Sequence, residues 1–200
     1  MKNAKKPKAG RAAGHVRDAA ATRAAILTSA RRAFAAQGYD GAGVREIAAG
    51  AGVTAMLVNR YFGSKEKLFA EAAAATMEEP VILSAANLNA PDRAAQMARA
   101  LVAITAPGAT PLEGFQMMLH SASSKSAAKI GRAEIDKRYQ RLLAGALKGP
   151  HAGERAALIF ALVAGVQFMR QSLELSALKA ASPAALAGVL TPLFAQLLDG

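Results

Sequence analysis

The chain has 200 residues, of which 52% are hydrophobic and none is cysteine, and its formal net charge is +11. The hydrophobic fraction excludes a chain that is disordered throughout, and the lack of cysteine excludes disulfides, thiolate metal sites and cysteine nucleophiles. Residues 1–65 hold 12 Lys/Arg and 3 Asp/Glu, whereas residues 66–200 hold 13 and 11, so the positive charge that attracts a polyanion such as nucleic acid lies in the first third of the chain.

Residues 1–17 contain six basic side chains, no acidic one and almost no large apolar one. Such a segment cannot form a core, so we expect a disordered basic arm. Two roles fit this composition equally well. The arm lies along DNA phosphates or enters the minor groove, or it is a tail that keeps the protein soluble.

A first helix is predicted over Asp18–Gln37, because its large apolar side chains recur with the period of an α-helix. Gly38 is expected to end this helix, and Tyr39 to pack back onto it. The inward-facing side chains are Ile26, Leu27, Ala30 and Phe34.

Two short helices follow, over Val44–Ala51 and Ala55–Phe62. Gly52 between them accepts the positive φ of a tight turn, and Thr54 is a favourable N-cap for the later helix. Two short helices joined in this way are typical of a helix-turn-helix, although ordinary helical hairpins share the pattern. In the later helix, Leu57, Val58, Tyr61 and Phe62 form the inner stripe, and Ala55, Met56, Asn59 and Arg60 form the outer face.

The rest of the chain is also predicted to be helical, since alanine is abundant and β-branched runs are few. Thr110-Pro111-Leu112-Glu113 has the pattern of a capping box with proline at the first helical position, which is a specific start signal. The longest apolar run, Ala156–Met169, is shorter than the roughly 20 residues that cross a bilayer, so we expect no membrane partner. The other predicted helices are Lys65–Glu79, residues 91–105, Ser126–Leu147, Glu154–Leu175 and Ala184–Leu198.

The last two predicted helices carry more apolar surface than one small domain can bury. Glu154–Leu175 is apolar on almost every side, and Ala184–Leu198 is rich in leucine. A symmetric four-helix interface between two subunits would bury both, so we expect a homodimer formed through these helices.

Three motifs occur in order: AFAAQGY at residues 33–39, IAAGAGV at 47–53 and RYFGSKEKLF at 60–69. The segment that contains them resembles the N-terminal DNA-binding domain of the TetR/AcrR family of transcriptional regulators. The resemblance implies an N-terminal three-helix helix-turn-helix DNA-binding domain over residues 18–64. It also implies a C-terminal helical domain over residues 65–200 that binds a ligand and dimerises, as family members do.

The resemblance further implies which side chains meet double-stranded DNA. Arginine can grip guanine, asparagine can grip adenine, and Met56 and Ala55 suit a thymine methyl group. The chain departs from the family where Ala42 and Gly43 provide no hydroxyl before the second helix. It departs again at Asn59, where an aromatic residue is usual, which favours a base-reading role for this asparagine. The full DNA-binding set is Arg45, Thr54, Ala55, Met56, Asn59, Arg60, Tyr61 and Lys65, with Thr54, Tyr61 and Lys65 nearer the phosphates.

Family bodies usually enclose a pocket, so the resemblance implies an unidentified small-molecule effector. Ordinary core packing is the competing interpretation for the Phe and Met candidates. Polar groups on an apolar helix need partners, and for Gln167 and Arg170 a ligand acid group, Glu174 or the other subunit would serve. The candidate lining residues are Phe115, Met118, His120, Gln167 and Arg170.

The sequence therefore favours a cytoplasmic, nucleoid-associated repressor that leaves a palindromic operator when an effector binds. Three histidines and no paired acidic motif leave little material for catalysis or metal binding, so we predict no catalytic site, no metal and no cofactor. Activation in place of repression also fits. Two rivals are a basic DNA-packaging protein without sequence preference and an all-α enzyme.

Overall fold

The computed structural model describes residues 9–78 and 80–200, and within them the side chains of residues 18–141 and 143–200. Every regular element in these residues is helical, which confirms the all-α prediction. Two π-helical turns, Asp136–Gln140 and Phe168–Ser172, follow α8 and α10 directly. The α-helices are α1 (Ala9–Gly41), α2 (Val44–Gly50), α3 (Ala55–Phe62), α4 (Lys65–Thr76), α5 (Ala85–Asn89), α6 (Arg93–Ile104), α7 (Glu113–His120), α8 (Lys125–Ile135), α9 (Arg141–Ala146), α10 (Ala152–Gln167), α11 (Ser176–Ala180) and α12 (Pro183–Asp199).

Helix α1 begins at Ala9, well before the predicted start at Asp18. Residues 9–17, which we expected to be part of a disordered arm, are therefore helical in backbone. The segment holds three alanines and two arginines, which favour a helix, and a helix that is already nucleated can extend through the less favourable Gly10 and Gly14. Residues 1–8 of the expected arm lie outside the described residues.

The long part of α1 ends at Gly38, as predicted. Gly38 has φ 70° and ψ 179°, so the backbone leaves the helical conformation there before one further turn to Gly41. This break directs Tyr39 into the core, where its ring centroid lies 5.1 Å from that of Phe69. The ring of Phe34 meets Phe69 edge-on at 5.0 Å.

The predicted capping box at Thr110–Glu113 is wrong. Helix α7 starts at Glu113, and its N-cap residue Leu112 makes no side-chain hydrogen bond. The carboxylate of Glu113 instead accepts a hydrogen bond from Arg31 Nε of α1 at 2.7 Å. The Glu113 carboxylate therefore pairs with a distant helix. In a capping box it would accept a hydrogen bond from the backbone N–H at the start of its own helix.

Other boundaries differ by small amounts. Helix α4 ends at Thr76, three residues before the predicted end at Glu79. The helix predicted over Ser126–Leu147 is interrupted by the π-helical turn Asp136–Gln140. The short helices α5 and α11 were not predicted, because five residues are too few to show a helical period.

Two hydrophobic cores organise the molecule. The first is formed by α1, α2, α3 and α4 and also contains Met117 of α7. The second lies between α6, α9, α10 and α12 and is centred on fully buried residues such as Met97, Leu101 and Phe194. We call the region around the first core the head and the region around the second core the body. Helix α8 packs against α4 of the head, and the π-helical turn that follows α8 contacts α9 and α10 of the body.

Helix α10 and its π-helical turn together span Ala152–Ser172, and by length and composition alone this segment could cross a membrane. It is longer than the apolar run counted in the sequence because polar residues at both ends are helical as well. Both of its arginines bond to the protein itself: Arg155 Nε donates to Pro150 O at 3.1 Å, and an Arg170 amino group donates to Val102 O at 3.0 Å. The absence of a membrane partner stays a prediction.

Candidate nucleic-acid interface and body cavity

The outer face of α3 is an exposed surface of the head. Thr54 caps the helix by accepting a hydrogen bond from Leu57 N at 3.4 Å, as predicted. Val58 and Phe62 are buried in the head core, and the opposite face is therefore presented to solvent. Met56 is 80% exposed, and Asn59 and Arg60 are exposed beside it.

The turn between α2 and α3 is closed by a backbone hydrogen bond. Gly52 has φ 67°, as expected for this turn, and Val53 N donates to Ala48 O at 2.9 Å. Gly43 is the N-cap of α2 and provides no side-chain hydrogen bond, in agreement with the missing hydroxyl noted in the sequence. Arg45 is exposed on α2.

The remaining predicted DNA-binding residues lie at the edges of this surface. Thr54 is exposed, whereas Ala55 and Tyr61 are half-buried. Lys65, in the first turn of α4, is also half-buried, and its ammonium lies 4.7 Å from the centroid of the Tyr39 ring. The structure thus brings the set together around α3, with Lys65 folded over an aromatic ring and its ammonium 3.5 Å from Asp40 O.

The ring under the Lys65 ammonium belongs to Tyr39, which is buried in the head core. Burial raises the pKa of Tyr39 to about 12, and the neighbouring Glu66 carboxylate adds to the increase. The pKa of Glu66 is lowered, first by its own backbone N–H and then by the hydroxyls of Ser64 and Tyr39. At neutral pH the phenol is therefore uncharged, and its ring faces the Lys65 ammonium as a cation–π partner.

A cavity of about 640 Å³ lies between α4, α7, α8, α10 and the π-helical turn after α8. Three of the five candidate pocket residues line it: Phe115, Met118 and Gln167. Sequence reasoning missed Tyr139 and Phe160, which also line it, because the wall combines helices that are distant in sequence. No local signal identified them.

His120 and Arg170 do not line this cavity, contrary to our expectation. His120 lies at the end of α7, where its Nδ1 is 2.5 Å from Ala35 O of α1. Arg170 is buried, and one of its amino groups lies 2.6 Å from Thr105 Oγ1. Both side chains satisfy polar atoms of neighbouring helices, which keeps them away from the cavity.

Helices α10 and α12 leave apolar side chains uncovered. Leu158 and Leu173 are exposed along α10 and just beyond its π-helical turn, and Val189 and Leu193 are exposed on α12. Val189 is the most exposed of these four side chains, at 64%. Within the described residues, no group of three or more His, Cys, Asp or Glu side chains could hold a metal ion.

A helix-turn-helix head with an exposed polar helix, joined to a helical body with a cavity, defines a class of DNA-binding regulator. Residues 26–72 match the family described as bacterial regulatory proteins, tetR family, and residues 92–198 match the tetracyclin repressor-like C-terminal domain. Since the matched residues cover more than half of the chain, the protein belongs to the TetR family. It is a transcriptional regulator that binds DNA.

Solved structures share this fold along nearly the whole chain. A TetR-family regulator from Streptomyces coelicolor A3 is 24% identical, with a TM-score of 0.56 over 90% of this chain and 95% of that chain. The multidrug binding protein EbrR, solved with ethidium, is 18% identical, with a TM-score of 0.65 over 90% and 99%. NalD, the secondary repressor of the MexAB-OprM multidrug efflux pump in Pseudomonas aeruginosa, is 18% identical, with a TM-score of 0.56 over 89% and 96%. No curated protein is similar enough to count as a relative.

Proposed function

We propose that the protein is a homodimeric repressor whose two α3 helices read a palindromic operator, and that a small molecule bound in the body cavity releases it. The observation that carries this proposal is the exposed face of α3, with Met56, Asn59 and Arg60 pointing away from the head core. The family's role in transcription supplies the context. We infer a cytoplasmic, nucleoid-associated location and no enzymatic activity, since chromosomal DNA is the proposed partner.

The side chains on α3 have the chemistry of base recognition. Arg60 can donate two hydrogen bonds to guanine O6 and N7, and Asn59 can bond to adenine N6 and N7. Met56 and Ala55 offer apolar contact to a thymine methyl group. Around them, we expect Thr54, Tyr61 and Lys65 to contact phosphates, and the exposed Arg45 of α2 to contact the same duplex. Residues 1–65 hold 12 basic and 3 acidic side chains, which favours the same partner.

Dimerisation through α10 and α12 would cover the exposed apolar side chains of both helices. Two copies that meet across these helices form a four-helix interface with two-fold symmetry. The symmetry presents two α3 helices to one side of a duplex, about 34–36 Å apart or somewhat more, which corresponds to one or more turns of DNA. A palindromic operator follows from that symmetry.

The cavity supports an effector because its volume of about 640 Å³ lies within the range typical of small-molecule sites. EbrR, which has the same fold, was solved with ethidium bound. Phe115 and Met118 place α7 in the cavity wall, while His120 at its end contacts α1 of the head. A ligand that shifts α7 would change the spacing of the two heads, and couplings of this kind are typically about 5- to 150-fold in affinity.

Selection of bound sequences from a random duplex pool tests the proposal. We expect a two-fold symmetric motif that the native protein prefers over random DNA by roughly 10³–10⁷. The Asn59→Ala and Arg60→Ala variants should each lose preference at particular bases. Arg132→Ala is the matched control, because it removes an exposed positive charge from α8 and should leave the motif unchanged.

The rival protein without sequence preference makes the opposite prediction. It would bind all duplexes nearly equally, with strong salt dependence, and the pool would yield no motif. Recovery of no motif would overturn the repressor proposal.

A further inference from the structure

We propose that Lys125 and Lys129 of α8 bind backbone phosphates of the same duplex that α3 contacts. The surface that meets DNA then extends beyond the helix-turn-helix to a helix within the residues that match the C-terminal domain. The inference goes beyond the proposed function and rests on one part of it, the phosphate contact expected for Lys65 at the start of α4.

Helix α8 packs beside α4 and runs in the same direction. At the start of α8, its N-cap residue Ser124 donates to an Asp40 carboxylate oxygen at 3.2 Å, and the Lys65 ammonium lies 3.5 Å from the backbone oxygen of the same aspartate. At the other end, the hydroxyl of Tyr139 donates to Met77 O at 2.6 Å, just after α4 ends. The start of α8 therefore lies beside the start of α4, where a phosphate contact is expected.

The basic side chains of α8 lie on the side that faces away from the head core. Ala127 and Gly131 are buried, whereas Lys125, Lys129 and Arg132 are exposed at intervals of four and three residues. Neither lysine forms an ion pair within the described residues. Because Cα–Cβ bonds in a helix tilt toward its N-terminus, both lysines are inclined toward the end of α8 that lies beside the start of α4.

The two lysines of α8 also determine the charge of this end of the head. On the last turn of α1 and the first turn of α4, Asp40 and Glu66 are acidic, and Lys65 and Lys67 are basic. These four charges cancel, so the positive excess comes from α8. Lysine is a compact charge on a flexible stem, which suits contacts to phosphates that do not depend on the base sequence.

Distance along the helix limits the contact to the first turns of α8. With a rise of about 1.5 Å per residue, Lys129 lies about 6 Å beyond Lys125, Arg132 about 10 Å and Lys137 about 18 Å. Exposed charges are largely screened beyond roughly 8–10 Å at 0.1–0.15 M salt. Arg132 and Lys137 are exposed as well, but they are too far from the start of α8 to contribute a contact.

The test measures how the DNA affinity of the full chain depends on salt. The probe is a fluorescent random-sequence duplex pool, since phosphate contacts do not require an operator, and anisotropy titrations cover roughly 50 to 200 mM KCl. Each phosphate contact that is lost lowers the slope of log Kd against log salt by about 0.9. The Lys125→Ala/Lys129→Ala variant should therefore lower the slope by about 1.8 for each bound subunit and raise Kd by about tenfold or more at 0.1 M salt.

The matched control is Arg132→Ala/Lys137→Ala. It removes two exposed positive charges from the same stretch of chain, farther from the start of α8, and should keep the native slope. Selection from the random pool should return the native motif with the Lys125→Ala/Lys129→Ala variant, because phosphates carry no sequence information. Circular dichroism should show that both double variants are folded.

A native slope in Lys125→Ala/Lys129→Ala would overturn the inference, and so would a changed motif. An equal decrease in both double variants would also overturn it, since the effect would then be one of net charge alone. Lys65→Ala tests the proposed function separately. If Lys65→Ala keeps the native slope while the variant of α8 does not, the phosphate contact assigned to Lys65 is wrong and the contact by α8 is supported by its own measurement.

Discussion

At Gly38 the backbone of α1 lies against the backbone at the end of α7. Its φ of 70° and ψ of 179° lie in a region that is open essentially to glycine alone. A β-carbon at this position would overlap the backbone carbonyl oxygen of His120 at the end of α7. Glycine is therefore required at this position for two reasons: the change in chain direction and the close approach of the two backbones.

The Gly38→Ala variant should lower the free energy of unfolding by about 3 kcal/mol, because backbone strain and steric overlap act together. Urea denaturation followed by circular dichroism measures the change. Gly145→Ala is the control, since Gly145 lies in α9 with open space around it. That control should be neutral or stabilise by about 0.5–1 kcal/mol. Equal stability of Gly38→Ala and the native chain would contradict the role given to Gly38.

Residue-level predictions from the sequence succeeded where the interaction is local. Thr54 and Gly52 act on atoms within a few positions of themselves, so the chemistry of the residue and its spacing were sufficient. Glu113 and His120 were assigned incorrectly because their partners, Arg31 and Ala35, are on α1. Nothing in the sequence indicates which helix lies beside α7.

At the scale of elements, the segment from α7 to the start of α8 connects the cavity to the head. Buried Ser121 accepts a hydrogen bond from Tyr39 N at 2.9 Å, and Ser124 donates to an Asp40 carboxylate oxygen at 3.2 Å. We call Ser121–Ser124, the segment between α7 and α8, the joint. The structure shows that these hydroxyls satisfy groups of the last turn of α1.

The Ser121→Ala variant should leave the buried Tyr39 N–H without an acceptor and lower the free energy of unfolding by about 1–3 kcal/mol. Ser123→Ala, in the same joint but exposed, should change it by less than about 0.5 kcal/mol. Thermal and urea denaturation of both variants provide the comparison. An equal loss of stability in the two variants would show that the hydrogen bond from Tyr39 N to Ser121 contributes no more than the exposed hydroxyl of Ser123.

At the scale of the whole molecule, two surfaces of the chain are not covered by its own residues. Helices α10 and α12 cover each other and the body core on one side, yet Leu158, Val189 and Leu193 remain exposed on the other. Exposed apolar side chains grouped in this way are typical of an interface between subunits. The outer face of α3 is a second, polar surface on a different part of the chain.

Introducing a charge on each surface should separate their roles. Val189→Glu places a carboxylate at the proposed dimer interface, and sedimentation velocity at micromolar concentration should show half the native mass. Met56→Glu, at a side chain that is 80% exposed on α3, should keep the dimer and abolish DNA binding through repulsion of phosphates. If the Val189→Glu protein sediments at the native mass, the dimer interface does not include Val189 and lies elsewhere.

The sequence by itself determined the helical class, the helix-turn-helix and the outer face of α3. Each of these depends on periodicity, capping and turn residues that act within a few positions along the chain. Only the tertiary structure decided which side chains share the cavity, and that His120 and Arg170 bond to α1 and α6 instead. The physical reason is that packing brings together helices far apart in sequence, and polar side chains then take whichever partners that packing offers.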